Sequence, residues 1–143
     1  IRGAYFSLLG SDDDTYIAAR VLQFFTPGIP QVYYVGMLAG EHDLENVKKT
    51  GEGREINRHN YTLDEIEMAM EKPVVKRLME LIRFRNDYPA FNGDFKIHDT
   101  SDEIVELSWK LNTSECKLSV NLSTMQTTIT YSTESGRISI YKV

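Results

Sequence analysis

The spacing of apolar residues changes along the chain, from a helical period in the first part to a period of two in the last. Apolar side chains recur at three- and four-residue intervals at Ile17, Val21 and Phe24. This spacing predicts an amphipathic helix that begins at Ser11, with Asp14 as its capping-box acid, and ends at Pro27. The acidic run 12–14 suits the positive end of such a helix and favours a solvated helix start over a metal site.

A short apolar run at 30–35 follows that helix and is bounded by Pro30 and Gly36. Runs of this kind are typical of strands buried on both faces, as in a parallel sheet covered by helices. Tyr33 and Tyr34 are therefore predicted to be core residues. A helix that leads into a buried strand is half of an α/β repeat.

A long polar excursion extends from Met37 to about Lys72, with short helices predicted near 43–49 and 63–70. Long segments after a strand are uncommon in compact domains and are often functional. A further helix is predicted from Pro73, with Arg83 and Arg85 at its negative end.

Beyond Pro89 the apolar period becomes two, which predicts an antiparallel sheet of about five strands with one wet face. The alternating apolar positions are Val105, Leu107, Trp109 and Leu111, then Cys116, Leu118, Val120 and Leu122, and more weakly Ile129, Tyr131, Ile138 and Ile140. The domain boundary is placed near 90–93. Trp109 shares its face with apolar residues, so it is predicted to lie in the core.

Composition limits the function classes. The formal net charge of −5 over 143 residues argues against general affinity for nucleic acid or an anionic membrane. No apolar run approaches the ~18 residues that span a bilayer, and the first residues do not resemble a signal peptide or include an initiating Met. Cys116 is the single cysteine, which favours a reducing, cytoplasmic location and a buried, unreactive thiol. Three scattered histidines (His42, His59, His98) make a zinc site unexpected, so no metal is predicted.

Particular segments carry a resemblance to a known family. The run TPGIPQVYYVG at 26–36 resembles the eighth barrel strand of the α-amylase superfamily of glycoside hydrolases. The segments MLAGEHDLE at 37–45, GREINRH at 53–59, KPVVK at 72–76 and FRN at 84–86 resemble the sucrose phosphorylase family within it. The resemblance runs from about Tyr5 to Phe95, and the β domain matches only in position and pattern.

The resemblance implies a fold class of α/β plus all-β. Residues 1–90 would form the last segment of a (β/α)₈ TIM barrel with a long loop after strand eight, and 91–143 a small antiparallel β-sheet C-terminal domain. It also implies retaining glucosyl transfer from sucrose or a related α-glucoside to phosphate, which gives α-glucose 1-phosphate. Phosphate is then a co-substrate and no cofactor is expected.

The catalytic carboxylates implied by the family lie upstream of Ile1, so this chain is expected to contain no catalytic residue and to be inactive alone. Five carboxylates lie near the expected rim, but nothing selects two of them as a catalytic pair: Glu41, Asp43, Glu45, Glu52 and Glu55. The chain therefore looks like a part of something longer.

The sugar-binding residue implied by the resemblance is Arg54, whose guanidinium offers a rigid fork of donors to hydroxyls or to a neighbouring carboxylate. The alternative is an arginine that only pins the loop to the barrel. Asn57, Arg58 and His59 are predicted to hold the loop behind that contact. Tyr5 and Phe6 either approach the site or pack. Arg2, where relatives tend to have a small polar residue, either favours an anionic acceptor or faces solvent.

Two other functions stay open at this point. A hydrolase or transglucosidase of the same superfamily differs only in the acceptor, and its deciding residues would lie upstream. A free-standing carbohydrate-binding β module would need exposed aromatic residues, which the face containing Trp109 does not predict. The expected partners are a sugar and phosphate. A homodimer, or association of the chain through exposed strand edges, is also possible.

Overall fold

The computed structural model describes residues 3–133 and the strand at 138–142. Its helices are α1 (Tyr5–Leu8), α2 (Asp13–Phe25), α3 (Tyr34–Met37), α4 (Leu44–Thr50), α5 (Leu63–Met70) and α6 (Pro73–Asp87), with 3₁₀ helices at Gly53–Asn57 and Pro89–Asn92. Its strands are β1 (Asp94–Ile97), β2 (Ile104–Leu111), β3 (Ser114–Asn121), β4 (Thr127–Ser132) and β5 (Ile138–Lys142). In the part described, no helix has both the length and the apolar content to cross a membrane.

The chain divides into two compact units. The first unit comprises the residues up to Tyr16 together with Gln31–Met79. The second unit comprises Ile17–Pro30 and the residues from Glu80 onward. Each unit is described by itself below.

Helix α2 is present as predicted, but Ser11 does not cap it. The Thr15 amide donates to Asp12 Oδ1 at 2.8 Å, so Asp12 satisfies the first turn. Ser11 has a φ of 54°, in the left-handed region, whereas a capping residue needs an extended backbone. Asp14 instead accepts from Arg77 Nη2 at 2.9 Å.

The run at 30–35 does not form the predicted buried strand. A strand needs a hydrogen-bonded neighbour, and in the described residues the five strands pair with one another. The chain turns instead into α3, where the Met37 amide donates to the Tyr33 carbonyl at 2.8 Å. Tyr33 is 49% exposed and Tyr34 is 36% exposed, so the prediction that they are core residues is wrong. Val35 is buried.

The polar excursion contains the two helices that the sequence predicts, α4 and α5, separated by a 3₁₀ helix. Asp43 caps α4 by accepting from the Asn46 amide at 2.8 Å. Gly51 ends α4 with a φ of 71°, a left-handed conformation that glycine adopts without strain. Thr62 and Glu65 form a reciprocal capping box at the start of α5. Each helix is therefore fixed locally by its own capping residues.

The second unit contains the predicted antiparallel sheet, with five strands in the order β1-β2-β3-β4-β5. Trp109 opposes Cys116 across β2 and β3, and Leu118 opposes Ile129 across β3 and β4. Their shared face is buried, as the period of two predicts. Cys116 is fully buried, and burial raises the pKa of its thiol to about 12, so it is an unreactive core residue as expected.

Trp109 is confirmed as a core residue. It is 6% exposed, and its indole Nε1–H donates to the Phe25 carbonyl at 2.7 Å. The rings of Phe95 and Phe91 lie 5.0 Å and 6.0 Å from it, between centroids. The ring is therefore not available as a stacking platform for a sugar.

Candidate functional site

The residues predicted to bind or support a sugar lie in one short segment of the first unit. Arg54 and Asn57 are on the 3₁₀ helix Gly53–Asn57, and Arg58 and His59 follow it. The segment begins where Gly51 ends α4, and the Asp43 amide donates to the Ile56 carbonyl at 3.0 Å. Capping and one backbone hydrogen bond therefore hold this turn against the start of α4.

Arg54 is exposed, with 60% of its side chain accessible. Its Nε lies 3.6 Å from Glu52 Oε2 and 3.4 Å from Glu55 Oε1. Both carboxylates are within two residues along the chain, so these ion pairs hold Arg54 in its own segment and do not tie the segment to another element. Exposed pairs of this kind contribute little stability.

Arg58 and Asn57 differ in exposure and in their polar contacts. Arg58 Nη1 lies 3.4 Å from Glu55 Oε1, and the side chain is 48% exposed. Asn57 Oδ1 is buried and has no hydrogen-bond partner among the described residues. Glu55, with 18% of its side chain exposed, also accepts from Asn46 Nδ2 at 3.4 Å. Glu55 therefore links both arginines to α4, a role that sequence reasoning missed.

His59 contacts more elements than the other predicted residues. Its Nδ1 lies 2.7 Å from Asp43 Oδ2, and its Nε2 lies 3.3 Å from Glu65 Oε1. The Tyr34 hydroxyl donates to the His59 carbonyl at 2.9 Å. The Tyr61 ring packs edge-on at 4.6 Å between centroids. His59 therefore joins the segment to α3, α4 and α5.

The electrostatics of this cluster follow from those contacts. The hydrogen bond to Asp43 raises the pKa of His59, and the hydrogen bond to Glu65 adds to the effect. The Asn46 amide, and then His59, lower the pKa of Asp43. The Thr62 amide and hydroxyl lower the pKa of Glu65. Burial raises the pKa of the Tyr61 hydroxyl.

Two open clefts of the first unit meet at His59 and Tyr61. One, of about 480 Å³, is mainly apolar; its other lining residues are Tyr34, Met37, Leu38, Asn60, Ile66, Met70 and Met79. The other, of about 490 Å³, is more polar; its other lining residues are Gly40, Glu41, His42, Asp43, Leu44, Glu45 and Lys72. Three of the rim carboxylates, Glu41, Asp43 and Glu45, therefore share a cleft with His59. Arg54, Glu52 and Glu55 are not among the lining residues of either cleft.

The remaining predicted positions are placed as follows. Phe6 is buried against the Tyr16 ring at 5.2 Å between centroids, and Tyr5 lies 5.8 Å from the same ring, so both residues pack. Arg2 lies outside the described residues. Among the residues described, no group of three His, Cys, Asp or Glu side chains is arranged to hold a metal ion.

Sequence reasoning did not connect Asp43 and Glu65 with His59. The capping signals were present, because Asp43 precedes α4 and Thr62 stands three residues before Glu65. A cap uses one carboxylate oxygen, and the pattern does not say where the second oxygen points. The three-way contact is visible only in the structure.

Known proteins resemble this chain over nearly all of its length, although no protein-family model matches it. The sucrose 6(F)-phosphate phosphorylase of Thermoanaerobacterium thermosaccharolyticum is 59% identical over 136 residues, which are 95% of this chain and 28% of that protein. The sucrose phosphorylase of Agrobacterium vitis is 54% identical over 128 residues, 90% of this chain and 26% of that protein. The chain thus spans little more than a quarter of the relatives it matches.

A solved structure agrees with these sequence matches. The crystal structure of a sucrose 6F-phosphate phosphorylase from Thermoanaerobacter thermosaccharolyticum superposes with a TM-score of 0.99 at 57% identity, over 100% of this chain and 29% of that one. Sequence and structure therefore both match this chain to sucrose phosphorylases. The chain corresponds to the C-terminal part of these sucrose phosphorylases. The predicted fold class, the last segment of a (β/α)₈ barrel followed by a small antiparallel β domain, is confirmed.

Proposed function

We propose that the full-length protein is a retaining α-glucosyl phosphorylase acting on sucrose or a related α-glucoside, and that this chain is its non-catalytic C-terminal portion. The observation that supports this most strongly is the 59% identity to a phosphorylase across 95% of the chain. The domain division, with 1–90 in the barrel and 91–143 in the β domain, is part of the same proposal.

The proposed reaction has two displacements at C1 of the glucosyl unit. A carboxylate attacks C1 and the bond from C1 to the leaving oxygen breaks, while an acid protonates that oxygen. A phosphate oxygen then attacks C1, the glucosyl–enzyme bond breaks, and the same acid, now a base, takes the proton from phosphate. The product is α-glucose 1-phosphate. The two carboxylates belong to the part of the protein that precedes this chain.

In this proposal Arg54 lines the sugar pocket. Its guanidinium is exposed and is oriented by the less exposed Glu55 carboxylate at 3.4 Å, whereas the 3.6 Å contact with Glu52 joins two exposed side chains. Such a fork can donate to the hydroxyls of a glucosyl unit with little loss of side-chain freedom. Asn57, Arg58 and His59 support the segment, and the contacts of His59 with three helices favour that role.

The glucosyl donor, the cellular location and the oligomeric state are also part of this proposal. The relatives are named for sucrose and for sucrose 6(F)-phosphate, so both donors are candidates. Arg2 is the first residue to test for a preference between them. Phosphate is the proposed co-substrate, and no other cofactor is invoked. The single cysteine supports a cytoplasmic location, and association into a homodimer is compatible with this proposal.

Substitution of Arg54 in the full-length protein tests its role. Arg54→Lys keeps the charge and removes the fork, and we expect kcat/KM for glucose 1-phosphate release to fall by about 10- to 100-fold. Glu52→Gln is the matched control, because the 3.6 Å ion pair of Glu52 with Arg54 joins two exposed side chains; we expect it to change the rate by less than about twofold.

A different result would remove Arg54 from the site. If Arg54→Lys and Arg54→Ala both leave glucosyl transfer unchanged, the arginine does not contact the sugar. If Arg54→Lys and Glu52→Gln impair the enzyme equally, Arg54 acts only by holding its own segment together. Thermal unfolding of each variant separates these results from a loss of folding.

A further inference from the structure

His59 lies between two carboxylates that belong to different helices. Asp43 precedes α4 and its Oδ2 is 2.7 Å from His59 Nδ1, while Glu65 is on α5 and its Oε1 is 3.3 Å from His59 Nε2. The capping contacts use the opposite oxygens. Asp43 Oδ1 accepts from Asn46, and Glu65 Oε2 accepts from Thr62 at 2.7 Å. The caps therefore aim one free carboxylate oxygen from each helix at the imidazole.

Only one protonation state of the imidazole satisfies both contacts. A neutral imidazole has a single N–H and one lone-pair nitrogen, and an ionised carboxylate can only accept. With a neutral ring, one carboxylate oxygen would face a nitrogen lone pair. With both carboxylates ionised, the imidazolium donates from both nitrogens, so the geometry favours a charged His59.

We propose that Asp43, His59 and Glu65 form a pH-gated clamp, which positions the segment 51–62 that carries Arg54 when His59 is protonated and releases its contact with one helix when His59 is neutral. The effect of the clamp on sugar binding rests on the proposed function, because Arg54 is the proposed sugar contact. Asp43 and Glu65 are thus positioning residues that act through His59.

Other charged and titratable groups lie near the clamp but are not the partners of the His59 ring nitrogens. Tyr34 donates to the His59 carbonyl, and the Tyr61 and His59 rings make an edge-on contact. Glu41, Glu45, His42 and Lys72 line the polar cleft on the same side. Glu55, on the 3₁₀ helix, pairs with Arg58, which follows that helix. The groups within hydrogen-bond distance of the ring nitrogens are the two carboxylates.

The pH range over which the clamp is closed follows from the direction in which folding shifts the pKa of each of its three groups. The pKa of His59 is raised on folding, so its stabilising contribution is complete below about pH 6.5 and is lost as the pH rises through the raised value. The pKa values of Asp43 and Glu65 are lowered, so their contributions are present above about pH 4.5 and are lost as the pH falls. The clamp is therefore closed in mildly acidic solution and opens as the pH rises through the raised pKa of His59.

Hydrogen exchange of the full-length protein, measured without substrate between pH 5.5 and 9, tests the clamp. After correction for the intrinsic rate, we expect protection of amides in the segment 51–62 to fall about tenfold through a midpoint above pH 6.5. Glu65→Gln is the decisive variant, because glutamine keeps the capping box and removes the charge. We expect it to lower the midpoint, because the Glu65 contact raises the pKa of His59.

Glu67→Gln makes the same charge change at an exposed position of α5 and should leave the midpoint unchanged. His59→Gln should give a flat profile at the low level of protection. A flat wild-type profile, or equal midpoints for the Glu65 and Glu67 variants, overturns the clamp. The proposed function is tested separately, by release of glucose 1-phosphate. Hydrogen exchange is measured without substrate, so its result does not depend on whether the protein is a phosphorylase. If both hold, KM for the donor sugar should rise through the same midpoint.

Discussion

Trp109 illustrates how a single buried polar contact fixes the role of an aromatic residue. Its ring is 6% exposed, and its N–H is paired with the Phe25 carbonyl in the second unit. An indole with its donor satisfied by backbone has no polar edge left for a sugar hydroxyl. The β domain is therefore better explained as a packed sheet than as a carbohydrate-binding module.

The hydrogen bond of Trp109 should be measurable as stability. Trp109→Phe keeps most of the apolar ring and leaves the Phe25 carbonyl without this donor, so we expect it to lower the free energy of unfolding by about 1–3 kcal/mol. Urea unfolding followed by circular dichroism measures the change. Lys96→Gln, at an exposed position of β1, is the control. A loss below about 0.5 kcal/mol for Trp109→Phe would mean that the contact is not formed.

At the scale of the element, Arg85 connects the end of α2 to α6. Its position in the last turn of α6 predicts that it complements the negative end of its own helix. Its Nε instead donates to the Phe24 carbonyl at 2.8 Å and its Nη2 to the Gly28 carbonyl at 3.0 Å. The guanidinium lies 4.5 Å from the centroid of the Phe91 ring. Arg85 thus satisfies carbonyl groups at and beyond the C-terminal end of α2.

Replacing Arg85 with lysine should destabilise the second unit. A lysine cannot reach two carbonyls with a planar fork or stack on Phe91, so we expect a loss of about 1–2 kcal/mol. Arg83→Lys, at an exposed position two residues before Arg85 in the same helix, should cost less than about 0.5 kcal/mol. Equal effects of the two substitutions in urea unfolding would show that Arg85 acts only through its charge.

The elements differ in how far sequence could predict them. The helices α4, α5 and α6 and the sheet were predictable because capping signals and apolar periods are local, and Asp43 and Thr62 are both legible in the sequence. The structure of the run at 30–35 was not predictable from local sequence, because an apolar β-branched segment becomes a strand only beside a hydrogen-bonded neighbour. The meeting of His59 with Asp43 and Glu65 depends on tertiary packing, which no local pattern records.

At the scale of the whole molecule, the chain accounts for little more than a quarter of the phosphorylases that it resembles. The exposure of Tyr33 and Tyr34 fits that relation, because these residues lie in the run that resembles the eighth barrel strand. Arg54 and the cluster around His59 belong to the first unit, whereas the resemblance to phosphorylases extends over both units. Catalysis is proposed to need the preceding part of the protein, which would hold the reacting carboxylates.

The most direct test of the central claim is release of glucose 1-phosphate from sucrose, and from sucrose 6F-phosphate, in phosphate buffer, with the full-length protein and this chain assayed side by side. We expect the full-length protein to release glucose 1-phosphate from at least one donor, and the 143-residue chain to release none. Release of free glucose alone by the full-length protein would contradict the account, because water and not phosphate would then be the acceptor. Release of glucose 1-phosphate by the chain alone would contradict its assignment as non-catalytic.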